Sequence, residues 1–136
     1  MPAKSGSKSA SKKSGVLAPR ALVPFAHVAD VRRAVAFYGK LGFAMGGSLA
    51  GEGDALDWAI LEHEGAQLMV ARASAPVMVE EQAILFYVYY EDVVAAHTAL
   101  ASAGLEVGPV LYPQHSPRGE FRLTDPDGYT VQVTHT

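Results

Sequence analysis

The chain has 136 residues, 49% of them hydrophobic and 18% charged, so a core can be buried and wholesale disorder is excluded. It contains no cysteine, which removes disulfides, thiolate zinc sites, iron–sulfur clusters and cysteine nucleophiles. No apolar run approaches the roughly 18–20 residues that a membrane span needs, so no membrane partner is expected. The formal net charge of -3 is unevenly spread, because residues 1–20 carry Lys4, Lys8, Lys12, Lys13 and Arg20 and no acid. The remaining residues hold 6 basic and all 14 acidic side chains, a formal -8. An acidic body repels phosphate backbones, and no specific nucleic-acid partner is expected.

The Ser/Lys/Ala/Gly composition of residues 1–20 offers nothing to bury and reads as a disordered basic tail. That segment lacks the apolar core of a secretory signal, so a cytoplasmic location is expected. Its basic, Ser-rich character leaves organelle targeting as the alternative. A single folded domain is expected over 21–136, in two halves of about 21–80 and 81–136.

Leu22–Val28 is a short apolar run that reads as a strand, and Pro24 suggests an edge position. Asp30 is placed to cap a helix over Val31–Leu41, whose stripe is Val31, Ala34, Val35, Tyr38 and Leu41, with Gly42 ending it. Phe43 begins the return, and Gly46-Gly47 and Gly51-Glu52-Gly53 read as turns of a loop. Asp57–Glu62 and Gln67–Arg72 read as two strands joined by a turn at Glu64-Gly65. Glu80-Glu81 begins a solvated link. Ala83–Tyr90 is then an aromatic strand, Asp92 a second cap, and Val93, Ala96, His97, Leu100 and Ala103 a second helical stripe ended by Gly104. Val107–Tyr112, Glu120–Thr124 and Tyr129–Thr134 complete the strands, the last two joined by Asp125-Pro126-Asp127-Gly128. Asp30 and Asp92, Val31 and Val93, Ala34 and Ala96, and Gly42 and Gly104 each lie 62 positions apart. Caps, stripes and terminating glycines in one register predict a tandem βαβββ repeat. The fold class is α+β, a cupped mixed sheet with helices on its outer face.

The segments Val28-Ala29-Asp30, Ala36-Phe37-Tyr38 and Leu41-Gly42-Phe43, with the closing Arg122–Tyr129, resemble the vicinal oxygen chelate superfamily. This group includes glyoxalases, extradiol dioxygenases and bleomycin-resistance proteins. The resemblance implies, in enzymatic members, a divalent metal held in the cup by His and Glu from equivalent strands of both modules. The first His of each module lies seven positions before the capping Asp, which here gives Val23 and Leu85. The closing Glu falls on Gln132, and its first-module equivalent on Gln67 or Met69. Aliphatic side chains cannot ligate and none of these is a carboxylate, so neither a metal nor another cofactor is expected. His27, Glu62, His63, His97, His115 and His135 form no compact ligand pair that would rebuild the site.

Strand alternation gives the cup a different lining. Leu85, Tyr87 and Tyr89 share one face, opposite Phe86 and Val88, and Val23, Phe25 and His27 share a face of the first strand. Gln67 pairs in this sense with Met69, and Thr130 with Gln132, while alternation leaves the face of Trp58 open. Such a cup suits a flat, partly apolar organic ligand, with aromatic faces for stacking and tyrosine and glutamine groups for orientation. The loop Leu111–Arg118 would bring Tyr112, His115 and Arg118 to the rim or serve only as a connection. Neither a nucleophile motif nor a phosphate-binding loop is present. The expectation is a metal-independent binding protein resembling the bleomycin-resistance branch, without catalytic residues and pairing as a homodimer. The alternative is a glyoxalase- or dioxygenase-like enzyme in which at least three of His27, Glu62, His97, His115 and Gln132 converge on a metal.

Overall fold

A computed structural model describes residues 17–81 and 83–136. Most of the basic segment 1–20 therefore lies outside the described residues. The first half runs β1 (Phe25–Val28), α1 (Val31–Lys40), β2 (Ala44–Ala50), β3 (Leu56–His63) and β4 (Ala66–Arg72). A short 3-10 turn at Val79–Glu81 leads to the second half: β5 (Leu85–Tyr90), α2 (Val93–Ser102), β6 (Phe121–Thr124) and β7 (Thr130–His135). The fold is α+β with two mixed sheets, of order β1-β4-β3-β2 and β5-β7-β6.

The helix ends follow the chemistry of the sequence. Asp30 and Asp92 are both extended, and their carboxylates accept the backbone N–H groups of Arg33 and Ala95 at 3.1 and 3.0 Å. Each satisfies one of the donors that the first turn of a helix leaves unpaired. Beyond the other ends, Gly42 and Gly104 adopt φ of +111° and +91°, a conformation costly for residues with a Cβ. Against the sheets, α1 buries Val31, Ala34, Phe37 and Tyr38, and α2 buries Val93 and Leu100. On the strands the same core takes Ala26, Val28, Ala59, Leu61, Val70, Phe121, Leu123, Val131 and Val133.

Three expected segments differ from the observed ones. The first strand covers only Phe25–Val28, so Val23 lies outside it, although the carbonyl of Pro24 still accepts from Met69 N–H. Gly46 and Gly47 lie inside β2, where the register slips between Met45 and Gly47. A Cβ at Gly46 would sit 2.6 Å from Glu62 Oε1, so the glycine leaves room for that carboxylate at the bulge. Val107–Tyr112 forms no strand. Its only pairing is a bridge between Leu111 and Glu120, with Gly108 N–H donating to the Arg122 carbonyl. The four residues Gly108 to Leu111 oppose the three from Arg122 to Glu120, and Pro109 has no N–H to offer the ladder.

The two halves are joined by a polar cluster around the closing turn. Tyr38 hydroxyl donates to Asp125 Oδ2 at 2.7 Å, while Asp125 Oδ1 accepts from Asp127 N–H and Tyr129 N–H, each at 2.9 Å. Asp127 Oδ1 accepts from Ala29 N–H at 2.7 Å and pairs with Arg33 at 3.3 Å. Tyr129 hydroxyl donates to the His27 carbonyl at 2.8 Å, and Tyr90 hydroxyl to that of Leu41. Burial pushes the Asp125 carboxyl above the usual aspartate range, an effect partly offset by the donors it receives. Burial and then the neighbouring Asp125 likewise push the Tyr38 phenol up.

Candidate functional site

Strand register sorts the expected site residues into rows on the sheet faces turned away from the helices. In the first sheet, Phe25 lies beside Met69 and Met69 beside Ile60. The next row is His27, Ala71, Trp58 and Leu49, which puts Trp58 on the same face as Ile60 and Glu62. Gln67 lies opposite Glu62 and donates to its Oε2 at 3.3 Å. Phe25 and His27 also touch, their ring centroids 5.4 Å apart.

In the second sheet the rows are Leu85, Thr130 and Thr124, then Tyr87, Gln132 and Arg122. Tyr89 lies beside Thr134, whose hydroxyl is 2.9 Å from that of Ser116. The rings of Tyr87 and Tyr89 lie 6.1 Å apart. Leu85, Tyr87 and Tyr89 are 43%, 50% and 57% exposed, and Phe25 is 53% exposed. Apolar side chains at these positions face outward while Phe86, Val88 and Tyr90, between them in β5, pack on the core.

The expected residues thus form two groups: Phe25, His27, Trp58, Gln67 and Met69 on one sheet, and Leu85, Tyr87, Tyr89 and Gln132 on the other. Among the described residues, the halves meet through groups off these faces, including the contacts of Tyr38 with Phe86 and Phe86 with Tyr129. A groove of about 470 Å3 runs along the free edge of β1, walled by Phe25, His27, the 73–78 segment, Phe86 and Tyr129. Tyr112 lies outside both groups, exposed on the loop near Gly119.

The metal-ligand question has a direct geometric answer. Tyr87 lies opposite Gln132, and Phe25, 62 positions earlier than Tyr87, lies opposite Met69. Met69 is therefore the first-module counterpart of Gln132, and the side chains present do not fit a divalent ion. Among the described residues no three His, Asp or Glu side chains are grouped to hold a metal. The remaining histidines have other partners. His97 Nε2 is 2.8 Å from the Gly108 carbonyl and its ring stacks edge-on against Phe121, which makes it a packing residue of α2. His115 pairs with Glu120 at 3.3 Å, and His135 with Arg118 at 2.8 Å.

Strand alternation in Phe121–Thr124 could have added Arg122 to the expected set, since Phe121 and Leu123 are buried and Arg122 is exposed. Ile60 joins the set by the same argument in β3.

The sequence matches the Glyoxalase/Bleomycin resistance protein/Dioxygenase superfamily over residues 23–133, and the chain belongs to that family. Solved structures carry the same fold. A bleomycin resistance determinant encoded on the transposon Tn5 is 17% identical, with a TM-score of 0.70 over 87% of this chain and 98% of that one. TnmS3, an antibiotic binding protein from Streptomyces sp. CB03234, is also 17% identical, with a TM-score of 0.69 over 89% and 98%. A lactoylglutathione lyase from Agrobacterium tumefaciens is 18% identical, with a TM-score of 0.64 over 86% and 94%. Among curated proteins no sequence matches this chain. Among the described residues no helix is long and apolar enough to cross a membrane.

Proposed function

We propose that the chain is a metal-independent small-molecule binding protein that sequesters an aromatic or partly apolar ligand against the outward faces of its two sheets. The observation that carries this reading is the exposed row Leu85, Tyr87 and Tyr89, with Phe25 on the other sheet, beside the Leu85 and Gln132 positions at which the family's enzymes carry metal ligands. Aromatic faces held on strands bind flat ligands at low entropic cost. Relatives described as bleomycin-resistance and antibiotic-binding proteins support the same reading, with withholding of a toxic compound in the cytoplasm as its use. The formal -8 of residues 21–136 favours approach of cationic compounds.

A monomer would leave these apolar faces in water, so the working form is a homodimer in which a second copy completes each site. Sedimentation equilibrium of the purified protein should give twice the chain mass of 14.4 kDa. A monomer throughout the concentration range would reject this arrangement.

Function is tested by metal retention. Protein incubated with zinc, nickel, manganese or iron(II) and then desalted should carry far less than one ion per chain. A stoichiometric ion would move the reading to a glyoxalase- or dioxygenase-like enzyme.

A further inference from the structure

The second sheet presents a cation, Arg122, that has no acidic partner among the described residues. Arg122 lies on the outward face of β6, beside Gln132 of β7, which separates it from Tyr87 of β5. Its Nε donates to Gln132 Oε1 at 2.6 Å, and Gln132 is itself 97% buried, with a relative exposure of 3%. Among the described residues no carboxylate lies within ion-pair distance of the guanidinium. The nearest acid along β6, Glu120, is already engaged by Ser116 at 3.0 Å and His115 at 3.3 Å.

An arginine fixed through Nε keeps its terminal pair of nitrogens free, and that edge matches the two oxygens of a carboxylate. Space for the ligand lies beside it. Where the segment containing Pro109 bulges from β6, a cavity of about 170 Å3 opens, walled by Pro109, Leu111, Glu120, Phe121, Arg122 and Gln132. Its lining is largely apolar, so it accepts a hydrocarbon or ring edge next to the guanidinium.

We propose that Arg122, oriented by Gln132 and in one row with Tyr87 across β7, binds a carboxylate or similar planar oxyanion on an aromatic ligand. This assignment rests on the outward faces being the ligand site and narrows the ligand to one with a negative end. Salt screens the distant acids of the body beyond about 8 Å at physiological ionic strength, and Glu120 in the cavity wall is engaged by Ser116 and His115.

Calorimetry of the full chain with 2-naphthoate, 2-naphthamide and 2-naphthylmethylammonium tests the assignment. The carboxylate is expected to bind about tenfold tighter than the amide, with an affinity that falls as salt is raised. Arg122→Gln should erase that preference while amide binding persists, and Arg122→Lys should retain part of it. Equal affinities of carboxylate and amide, or a preference that survives Arg122→Gln, would overturn the assignment. Tyr87-dependent binding of the ammonium probe alone would reject the anion and leave the binding site in place. Binding of none of the three would overturn the assignment together with the reading it rests on.

Discussion

Asp125→Ala is expected to destabilise the fold by about 3–5 kcal/mol, because one carboxylate satisfies three buried donors and each left unpaired costs about 1–3 kcal/mol. The donors are the Tyr38 hydroxyl, from the first half, and the backbone N–H groups of Asp127 and Tyr129, from the second. The loss therefore falls on the joint between the halves, and urea unfolding should show a lower midpoint. Asp125→Asn keeps one oxygen to accept from the Asp127 and Tyr129 N–H groups, its NH2 can donate to the Tyr38 hydroxyl oxygen, and it should cost much less. The carboxyl also gives stability a pH dependence of known sign. Its folded value is raised, so the native state holds the proton more tightly than the unfolded chain. Stability from this group is fully present below the ordinary aspartate value and declines as pH rises through the folded value. Asp125→Asn should remove that slope. An alanine variant as stable as the parent would show that the halves are held by apolar packing alone.

Replacing Tyr87 and Tyr89 together by alanine should weaken ligand binding by about 1–3 kcal/mol, the sum of two stacking contacts, while changing the unfolding midpoint little. The separation of effects follows from position. Both rings are half exposed, and they touch each other rather than the core. Phe86 and Tyr90, their neighbours in β5, do pack on the core, and Phe86→Ala should instead unfold the protein more readily. Calorimetric titration with bleomycin and with the tightest aromatic compound of a screened panel measures the first effect. Unchanged affinity in the double variant would remove β5 from the binding surface.

The features legible in the sequence are those with local causes. Helix starts were readable because aspartate caps announce them, and helix ends because glycine alone accepts the left-handed turn at Gly42 and Gly104. The repeat was readable because both halves carry these signals at one spacing. Strand faces followed from alternation, which correctly paired Tyr87 with Tyr89 and left Trp58 to be settled by its place opposite Ala71. What escaped depends on partners distant in sequence. Gly46-Gly47 resembled a turn, yet the pair lies in β2, where Met45 and Gly47 pair with Leu61 and Ile60 of β3. Val107–Tyr112 had a strand's composition, but its pairing with β6 carries a bulge at Pro109. The closing Asp125–Gly128 turn was readable as a turn, whereas its role in holding Ala29, Arg33 and Tyr38 required the fold.

The same contrast applies to the candidate site. The leucine at position 85 and the amide at position 132 were visible from residue identity, and register then chose Met69 over Gln67 as the first-half counterpart of Gln132. Arg122 went unnoticed because a charged residue in a short edge strand looks like ordinary solvated surface. Its anchoring by a buried glutamine gives it a defined orientation.

Trp58 is the chain's single tryptophan and lies on the outward face of β3, in the row with His27 and Leu49. Its emission, followed while chelator-treated protein is titrated with bleomycin and a panel of aromatic compounds, tests the binding account most directly. The account predicts a saturable change with at least one compound in the complete absence of divalent metal. Emission that responds to the same compounds only after one equivalent of a divalent ion is added would contradict it.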